Sequence, residues 1–76
     1  MKLNEGERGK NYLVTEVLAE KKIARRLEAL GVNERTPVTV LNKKGSGSLI
    51  IKVRGTRLAL GRQIAEGITV EEAPGR

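Results

Sequence analysis

The side chains in this sequence that could do chemistry at a defined site are cations. Arginines lie within the segment "IIKVRGTRLALGRQIAEGITV", where they flank a predicted hairpin, and lysines and arginines recur along an earlier stretch with helical spacing. A guanidinium carries a rigid fork of donors that fits a carboxylate or a phosphate. These cations could therefore dock an acidic partner, although they could equally serve only to solvate a small domain. The candidate partner-binding residues are Lys22, Arg25, Arg26, Arg54, Arg57 and Arg62.

The other residue types leave little room for catalysis. The chain has no histidine and no cysteine, so the usual activated nucleophiles and zinc ligands are missing. Its nine acids are all glutamates; Glu71 and Glu72 are adjacent on a strand-like segment and point to opposite faces. The loop "GSGS" lacks the Lys-Ser/Thr that follows a phosphate-binding loop. We therefore expect no enzyme activity, no cofactor and no metal site.

Length and charge predict one small basic domain. Seventy-six residues with a net charge of +6 fit a single domain over residues 1–76 whose partners are anionic. No apolar run approaches the roughly 20 residues of a membrane span, and "MKLNEGERGKNYL" lacks the apolar core of a signal peptide. We expect a cytoplasmic protein with no membrane insertion, which agrees with the absence of cysteine.

One segment has the periodicity of an amphipathic helix. In "AEKKIARRLEALGV" the apolar residues Ala19, Ile23, Leu27 and Leu30 recur at helical spacing, and the cations between them face water. Gly31 stands where a left-handed residue ends a helix. The pattern predicts about three helical turns.

The rest of the chain reads as five short strands. The segments are "GKNYLVTEVLA", "PVTVLN", "LIIKVR", "RLAL" and "ITVEE". Alternation places Leu49, Ile51 and Val53 on one face, and leaves the inward face of the first strand ambiguous. Gly55-Thr56 fits a two-residue type II′ turn, and "GRQIAEG" fits one tight helical turn.

The element order is thus β-α-β-β-β-turn-β. We predict a mainly β fold with one inserted helix, a small, partly open barrel of about five strands. The helix would close one end through Ile23, Leu27 and Leu30. The ordered core would span about residues 3–72, with residues 73–76 as a frayed tail. Exposed edges of such a barrel could pair between copies, so a homo-oligomer stays open.

The order and spacing of these pieces resemble the ferrous iron transport protein A (FeoA) family from Leu3 to Glu71. Gly6 and Gly9 precede the first strand, and Ala59-Leu60, Ala65 and Ile68-Thr69-Val70 form the final part. Between them lie "ARRLEALGV", closing the helix, and "VTVLNKKGSGSLIIKVRG". The sequence departs from the family in "GVNERTP", where a Pro or Gly commonly shapes the turn and Arg35 stands instead.

The resemblance implies an SH3-like barrel in a non-catalytic accessory protein of bacterial ferrous iron uptake. Its partner would be the cytoplasmic region of FeoB, the membrane transporter with an attached GTPase domain. Arg57 or Arg62 could assist GTP hydrolysis there. Related domains in iron-dependent repressors leave an alternative, a nucleic-acid-binding or repressor-type regulatory domain. Tyr12 is the only aromatic residue, which disfavours nucleic acid, and the residues do not support an Fe(II) site despite the family's link to iron.

Overall fold

A computed structural model describes residues 1–73 of the chain. Five strands and three short helices follow one another along these residues. In chain order they are a 3-10 helix (Leu3–Glu5), β1 (Asn11–Val17), α1 (Lys21–Ala29), β2 (Pro37–Lys43), β3 (Leu49–Val53), β4 (Thr56–Leu60), α2 (Arg62–Glu66) and β5 (Ile68–Glu72). This order confirms the predicted succession of strands, inserted helix and short helical turn.

The five strands form one antiparallel sheet in the order β4-β3-β2-β1-β5. The register shifts in β1 between Val14 and Glu16, and in β2 between Val40 and Asn42. Such bulges bend a strand and increase its twist, so they help this short sheet to curve around a core. The mainly β fold is confirmed. The bulge in β1 also explains why simple alternation left the inward face of that strand ambiguous.

The core is built from the inner face of the sheet. On β3, Leu49, Ile51 and Val53 are at most 1% exposed, as the alternation predicted. Ile68 and Val70 of β5 are buried in the same way. The single aromatic side chain, Tyr12, is also inside, where its hydroxyl oxygen accepts a hydrogen bond from the Glu7 N–H at 2.8 Å. The phenol is thus buried with its polar end satisfied, as a buried tyrosine requires.

Helix α1 closes the core by a different set of residues from the predicted one. Leu27 is buried and Ile23 is partly buried against the core, but Leu30 is 40% exposed, so its predicted role was wrong. The helix ends at Ala29, and Gly31 then takes a positive φ of 98°. This left-handed cap turns the chain back, and Val32 enters the core while its N–H bonds the Leu27 carbonyl oxygen at 2.8 Å.

A second closure comes from the 3-10 helix and α2. Leu3 and Ala65 are fully buried in the common core. The sequence analysis placed Leu3 at the start of the ordered core but missed this helix, because three residues are too few to show periodicity.

Ala73 donates its N–H to the Asn11 carbonyl oxygen at 3.2 Å. Of the tail expected at residues 73–76, residues 74–76 lie outside the described residues.

The turn between β3 and β4 lies one residue earlier than predicted. Val53 pairs with Thr56, so the two turn residues are Arg54 and Gly55, with φ of 52° and 80°. Two successive positive φ values define a type I′ turn, not the type II′ turn expected from Gly55-Thr56. The prediction was wrong because it gave the first turn position to glycine, whereas here an arginine adopts the left-handed conformation.

Arg35 shows why the family pattern favours another residue in the loop before β2. Its φ is 70°, in the left-handed region where glycine is favoured. The Arg35 N–H donates to the Val14 carbonyl oxygen at 2.6 Å, and Val14 donates in return to the Thr36 carbonyl oxygen at 3.0 Å. These two bonds join the loop to β1 and hold Arg35 in its unfavourable conformation.

We predict that Ile51→Lys leaves the chain largely unfolded. A core of this size rarely supplies more than about 3–5 kcal/mol, and an unpaired buried ion costs several kcal/mol. The matched control is Ile50→Lys, one residue away on the other face, where the side chain is only partly buried. Circular dichroism during heating checks both variants. A cooperative transition retained by Ile51→Lys at the wild-type temperature would contradict the assigned core.

We predict that Arg35→Gly stabilises the fold. A non-glycine residue in the left-handed region costs about 1–2 kcal/mol, and glycine adds about 0.5–1 kcal/mol of unfolded-state entropy. The net gain is about 0.5–1 kcal/mol, measured by urea unfolding. Arg35→Ala keeps the same backbone strain and should show no such gain. A gain of equal size in both variants would mean that the arginine side chain, not the backbone, carries the cost.

Candidate protein-binding surface

The six predicted partner-binding residues are all exposed, but they lie on three different elements. Three are on α1, two on the β3–β4 hairpin and one on α2. The structure therefore does not gather them into one site. Each group has different neighbours, which decide how available its charge is. In order along the chain the groups are Lys22, Arg25 and Arg26, then Arg54 and Arg57, then Arg62.

The cations of α1 have an acid at each end of the helix. Glu20 is the residue at the N-terminal cap and Glu28 lies in the last turn. The hydrophobic face of the helix, with Leu27, is occupied by the core. The polar face is thus a mixed-charge surface of the kind that keeps a helix in water. The two acids reduce the positive field that this helix presents to a partner.

Arg62 is already engaged within the chain. Its Nε donates to Glu66 Oε2 at 3.0 Å, one turn further along α2. Its side chain also crosses Gly47 in the loop between β2 and β3, so closely that a Cβ built at Gly47 would lie 2.6 Å from Arg62 Cδ. The Glu66 carboxylate therefore competes with an acidic group of a partner for the Arg62 guanidinium. Arg62 is therefore a weaker candidate than the sequence suggested.

The hairpin carries a cross-strand row of polar and cationic residues on its outer face. Arg57 on β4 pairs with Lys52 on β3, and Lys52 pairs with Thr39 on β2. Thr39 pairs in turn with Asn11, and its hydroxyl donates to Asn11 Oδ1 at 2.6 Å. Like charges directly opposite each other on a sheet are unfavourable. Lys52 was not among the partner-binding residues predicted from the sequence. Its pairing with Arg57 follows from the two-residue turn once that turn is placed at Arg54-Gly55.

Arg54 joins the hairpin to the end of helix α1. A Cβ built on Gly31 would lie only 2.7 Å from Arg54 Cδ, so the arginine side chain lies directly over this glycine. Carbonyl groups at a helix C-terminus carry partial negative charge, which favours a nearby cation. Gly31 thus serves two purposes, since it ends the helix in a left-handed conformation and leaves room for Arg54.

Charge is separated along the chain in a way that the sequence analysis missed. Seven of the fifteen lysines and arginines lie between residues 35 and 65, and none of the nine glutamates does. This acid-free segment contains all of β2, β3 and β4, which are neighbours at one side of the sheet. All seven side chains are exposed: Arg35, Lys43, Lys44, Lys52, Arg54, Arg57 and Arg62. The net positive charge of the protein therefore comes from this segment of the chain.

The remaining part of the chain balances its charges internally. Lys10 Nζ lies 3.5 Å from carboxylate oxygens of both Glu7 and Glu72. The charges of Glu7 and Glu72 raise the pKa of Lys10 above its ordinary value. These ion pairs connect the loop before β1 with the end of β5. This contrast leaves the acid-free segment as the part of the chain whose positive charge is not matched by glutamates.

The chemistry available to this surface is recognition of anions. Exposed guanidinium and ammonium groups can bind carboxylates or phosphates through charge-assisted hydrogen bonds. Within residues 1–73, no three His, Cys, Asp or Glu side chains lie close enough together to hold a metal ion. No helix in that part of the chain has the length and apolar character needed to cross a membrane.

The five-stranded bent sheet with its inserted helix defines the protein as an SH3-like domain. The model of the FeoA domain family matches residues 1–72. The chain belongs to the FeoA family, whose members are accessory proteins associated with ferrous iron transport. No curated protein matches it.

Solved structures of FeoA proteins agree with this assignment. The solution structure of FeoA from Chlorobium tepidum is 36% identical to this chain, with a TM-score of 0.90. That alignment covers 100% of this chain and 73% of the other. The zinc complex of FeoA from Stenotrophomonas maltophilia, described as an SH3 domain protein, is 32% identical with a TM-score of 0.80. It aligns over 93% of this chain and 89% of its own.

The same fold occurs within a larger protein, ScaR, in a structure with bound Zn²⁺. The identity is 22% and the TM-score 0.83, over 96% of this chain and 37% of ScaR. This likeness shows the fold alone. It agrees with the resemblance to repressor domains in shape, and says nothing about the role of these residues here.

We predict that Gly31→Ala destabilises the protein for two reasons. An L-residue in the left-handed region costs about 1–2 kcal/mol, and the added Cβ also has to displace the side chain of Arg54. A double-mutant cycle with Arg54→Ala separates the two contributions. Contacting residues couple by about 0.5 kcal/mol or more, so Gly31→Ala should cost that much less when Arg54 is absent. Urea unfolding of the four proteins measures the coupling. Strict additivity would show that the arginine does not depend on this glycine.

Proposed function

We propose that this protein is a non-catalytic, cytoplasmic accessory protein of bacterial ferrous iron uptake that binds the cytoplasmic region of a FeoB-type transporter. It acts by contact, using the acid-free strands β2, β3 and β4 as its binding surface. Arg54 and Arg57 on the hairpin are the principal partner-binding residues, with Lys52 beside them. Lys22, Arg25 and Arg26 on α1 contribute long-range attraction, and Arg62 is held by Glu66.

The observation that carries this proposal is the match of residues 1–72 to the FeoA family together with the one-sided charge. Six of the seven exposed cations, all but Arg62, form no ion pair within residues 1–73, and they create a positive potential that attracts and orients an acidic surface. The family membership supports a role in iron transport. The charge supports an acidic partner and indicates which side of the protein meets it.

Nucleic acid fits this surface less well than a protein does. Single-stranded nucleic acid is bound on aromatic side chains, and the one aromatic residue, Tyr12, is 1% exposed. The relation to ScaR is one of fold. A repressor-type role would require binding to duplex DNA that discriminates among sequences, and we include that measurement as the alternative outcome.

The test compares two double variants with the same change of charge. Arg54→Glu with Arg57→Glu reverses the hairpin, and Arg25→Glu with Arg26→Glu reverses the helix. Affinity for the cytoplasmic region of the FeoB transporter from the same genome is measured by calorimetry at two salt concentrations. We expect the hairpin variant to bind at least tenfold more weakly than wild type, and the helix variant less than threefold, because only the hairpin cations make direct contact.

Three results would overturn the proposal or part of it. Absence of wild-type binding, checked also by a pull-down from native membranes, would remove the transporter as partner. Equal losses in both variants would mean that total charge, not the hairpin, governs binding. Sequence-dependent binding of duplex DNA by wild type would favour the regulatory alternative.

The transporter's GTPase rate with and without this protein tests whether an arginine of this protein activates GTP hydrolysis. An unchanged rate would contradict such activation.

A further inference from the structure

We propose that an extended, acidic segment of the partner protein adds to the free edge of β4 as a sixth strand of the sheet. This inference rests on the proposed function, since it specifies how the partner is bound. It assigns the affinity to backbone hydrogen bonds along β4, and the choice of partner to the cations beside it. Strand addition at an exposed sheet edge is a common mode of peptide recognition.

The backbone of β4 presents unpaired groups at one edge of the sheet. Strand β4 is the last in the order β4-β3-β2-β1-β5, so only β3 lies beside it. The two-residue turn makes Val53 and Thr56 a hydrogen-bonded pair, and this bonding alternates along an antiparallel ladder. Arg57 and Ala59 therefore direct their N–H and C=O groups away from β3. Both residues are exposed, and neither forms a backbone bond to another element within residues 1–73.

The opposite edge of the sheet is already covered. The chain's own first residues lie along β5, where Lys2 forms a bridge with Thr69. The Val70 N–H donates to the Met1 carbonyl oxygen at 2.7 Å, and the Met1 amino group donates to the Val70 carbonyl oxygen at 3.0 Å. Exposed edges attract other strands, and proteins commonly protect them. Here β5 is protected by the N-terminal residues, whereas within residues 1–73 no segment pairs with the outer edge of β4, which carries the charge of Arg57.

Charge decides which strand can occupy the β4 edge. Arg57 lies on the edge strand itself, with Lys52 opposite it and Arg54 in the adjoining turn. Pairing of β4 with a second copy would bring two identical cationic segments together. The phosphate groups of a nucleic acid could accept from the N–H donors but would leave the alternating C=O acceptors unpaired. A strand with carboxylates satisfies the donors, the acceptors and the cations at the same time.

The alternation of β4 also specifies the pattern of the added strand. Arg57 and Ala59 face outward, whereas Leu58 faces the core and is only partly buried. An incoming strand would place acidic side chains on the outer face, near Arg57. It would place an apolar side chain on the inner face, covering the exposed part of Leu58. The small side chain of Ala59 leaves space on the outer face for the neighbouring residue.

Ala59→Pro tests the backbone contribution, with Ala59→Val as its matched control. Proline removes an N–H that points to the open edge, so the ladder with β3 keeps its bonds, and proline is tolerated on edge strands. Valine adds bulk at the same place and keeps the N–H. We expect Ala59→Pro to bind the transporter's cytoplasmic region at least tenfold more weakly, and Ala59→Val to bind within threefold of wild type. The melting curves of both variants show whether they are folded.

Hydrogen exchange of the wild-type protein gives a second test that needs no substitution. In the complex, the amides of Arg57 and Ala59 should exchange at least tenfold more slowly than in the free protein. The exposed amide of Lys22 on α1 serves as an internal reference and should change less than twofold. This measurement decides the inference even if the proline variant fails to fold.

The outcomes separate this inference from the function on which it rests. If wild type does not bind the transporter region at all, the proposed function fails first. If wild type binds, but the Arg57 and Ala59 amides gain no protection, strand addition is wrong while the partner assignment stands. Sedimentation that shows a dimer lost in Ala59→Pro would assign the edge to a second copy, and protection by duplex DNA alone would assign it to nucleic acid. Either result would contradict the proposal that an acidic strand of the partner binds the β4 edge.

Discussion

The burial of aliphatic side chains on the inner face of a short, bent sheet is the interaction on which the rest of the structure depends. Bulges after Val14 and Val40 help the sheet to curve so that residues from all five strands meet in one cluster. A sheet of this size cannot close its own ends, so Leu27 with Val32, and Leu3 with Ala65, complete the core. Since a domain of 76 residues has little stability to spare, most of its apolar residues are committed to this purpose.

This commitment leaves the surface residues to carry the proposed function. Tyr12, the residue best suited to stacking or to hydrogen bonding with a ligand, is buried with its hydroxyl already bonded. Among the charged residues, those of 1–34 and 66–73 balance cations with glutamates, while residues 35–65 contain cations and no acid. Because β2, β3 and β4 are adjacent in the sheet, the strands of this segment, with Lys43, Lys52 and Arg57, lie beside one another.

Most of the fold could be predicted from periodicity, because β3 alternates strictly and α1 has helical spacing. The errors arose where one residue changes direction. The sequence placed Leu30 in the core, but the left-handed Gly31 turned the chain so that Val32 entered instead. The hairpin turn was displaced by one residue because arginine is a rare choice for its first position. The candidate site depended on that register: Lys52 opposite Arg57 follows only when the turn is Arg54-Gly55.

The hairpin combines three features that a sequence selected for stability alone would avoid. Arg54 occupies a left-handed turn position that asparagine or glycine would fill at lower cost, Lys52 faces Arg57, and the β4 edge is bare. Arg35 shows that backbone strain by itself does not mark a site, because its conformation is held by bonds to β1. At the hairpin, however, the unfavourable features lie on one surface, and the binding of a single ligand could relieve all of them. An acidic strand would pair the edge and neutralise the cations together, which is why we place the partner there and not on α1.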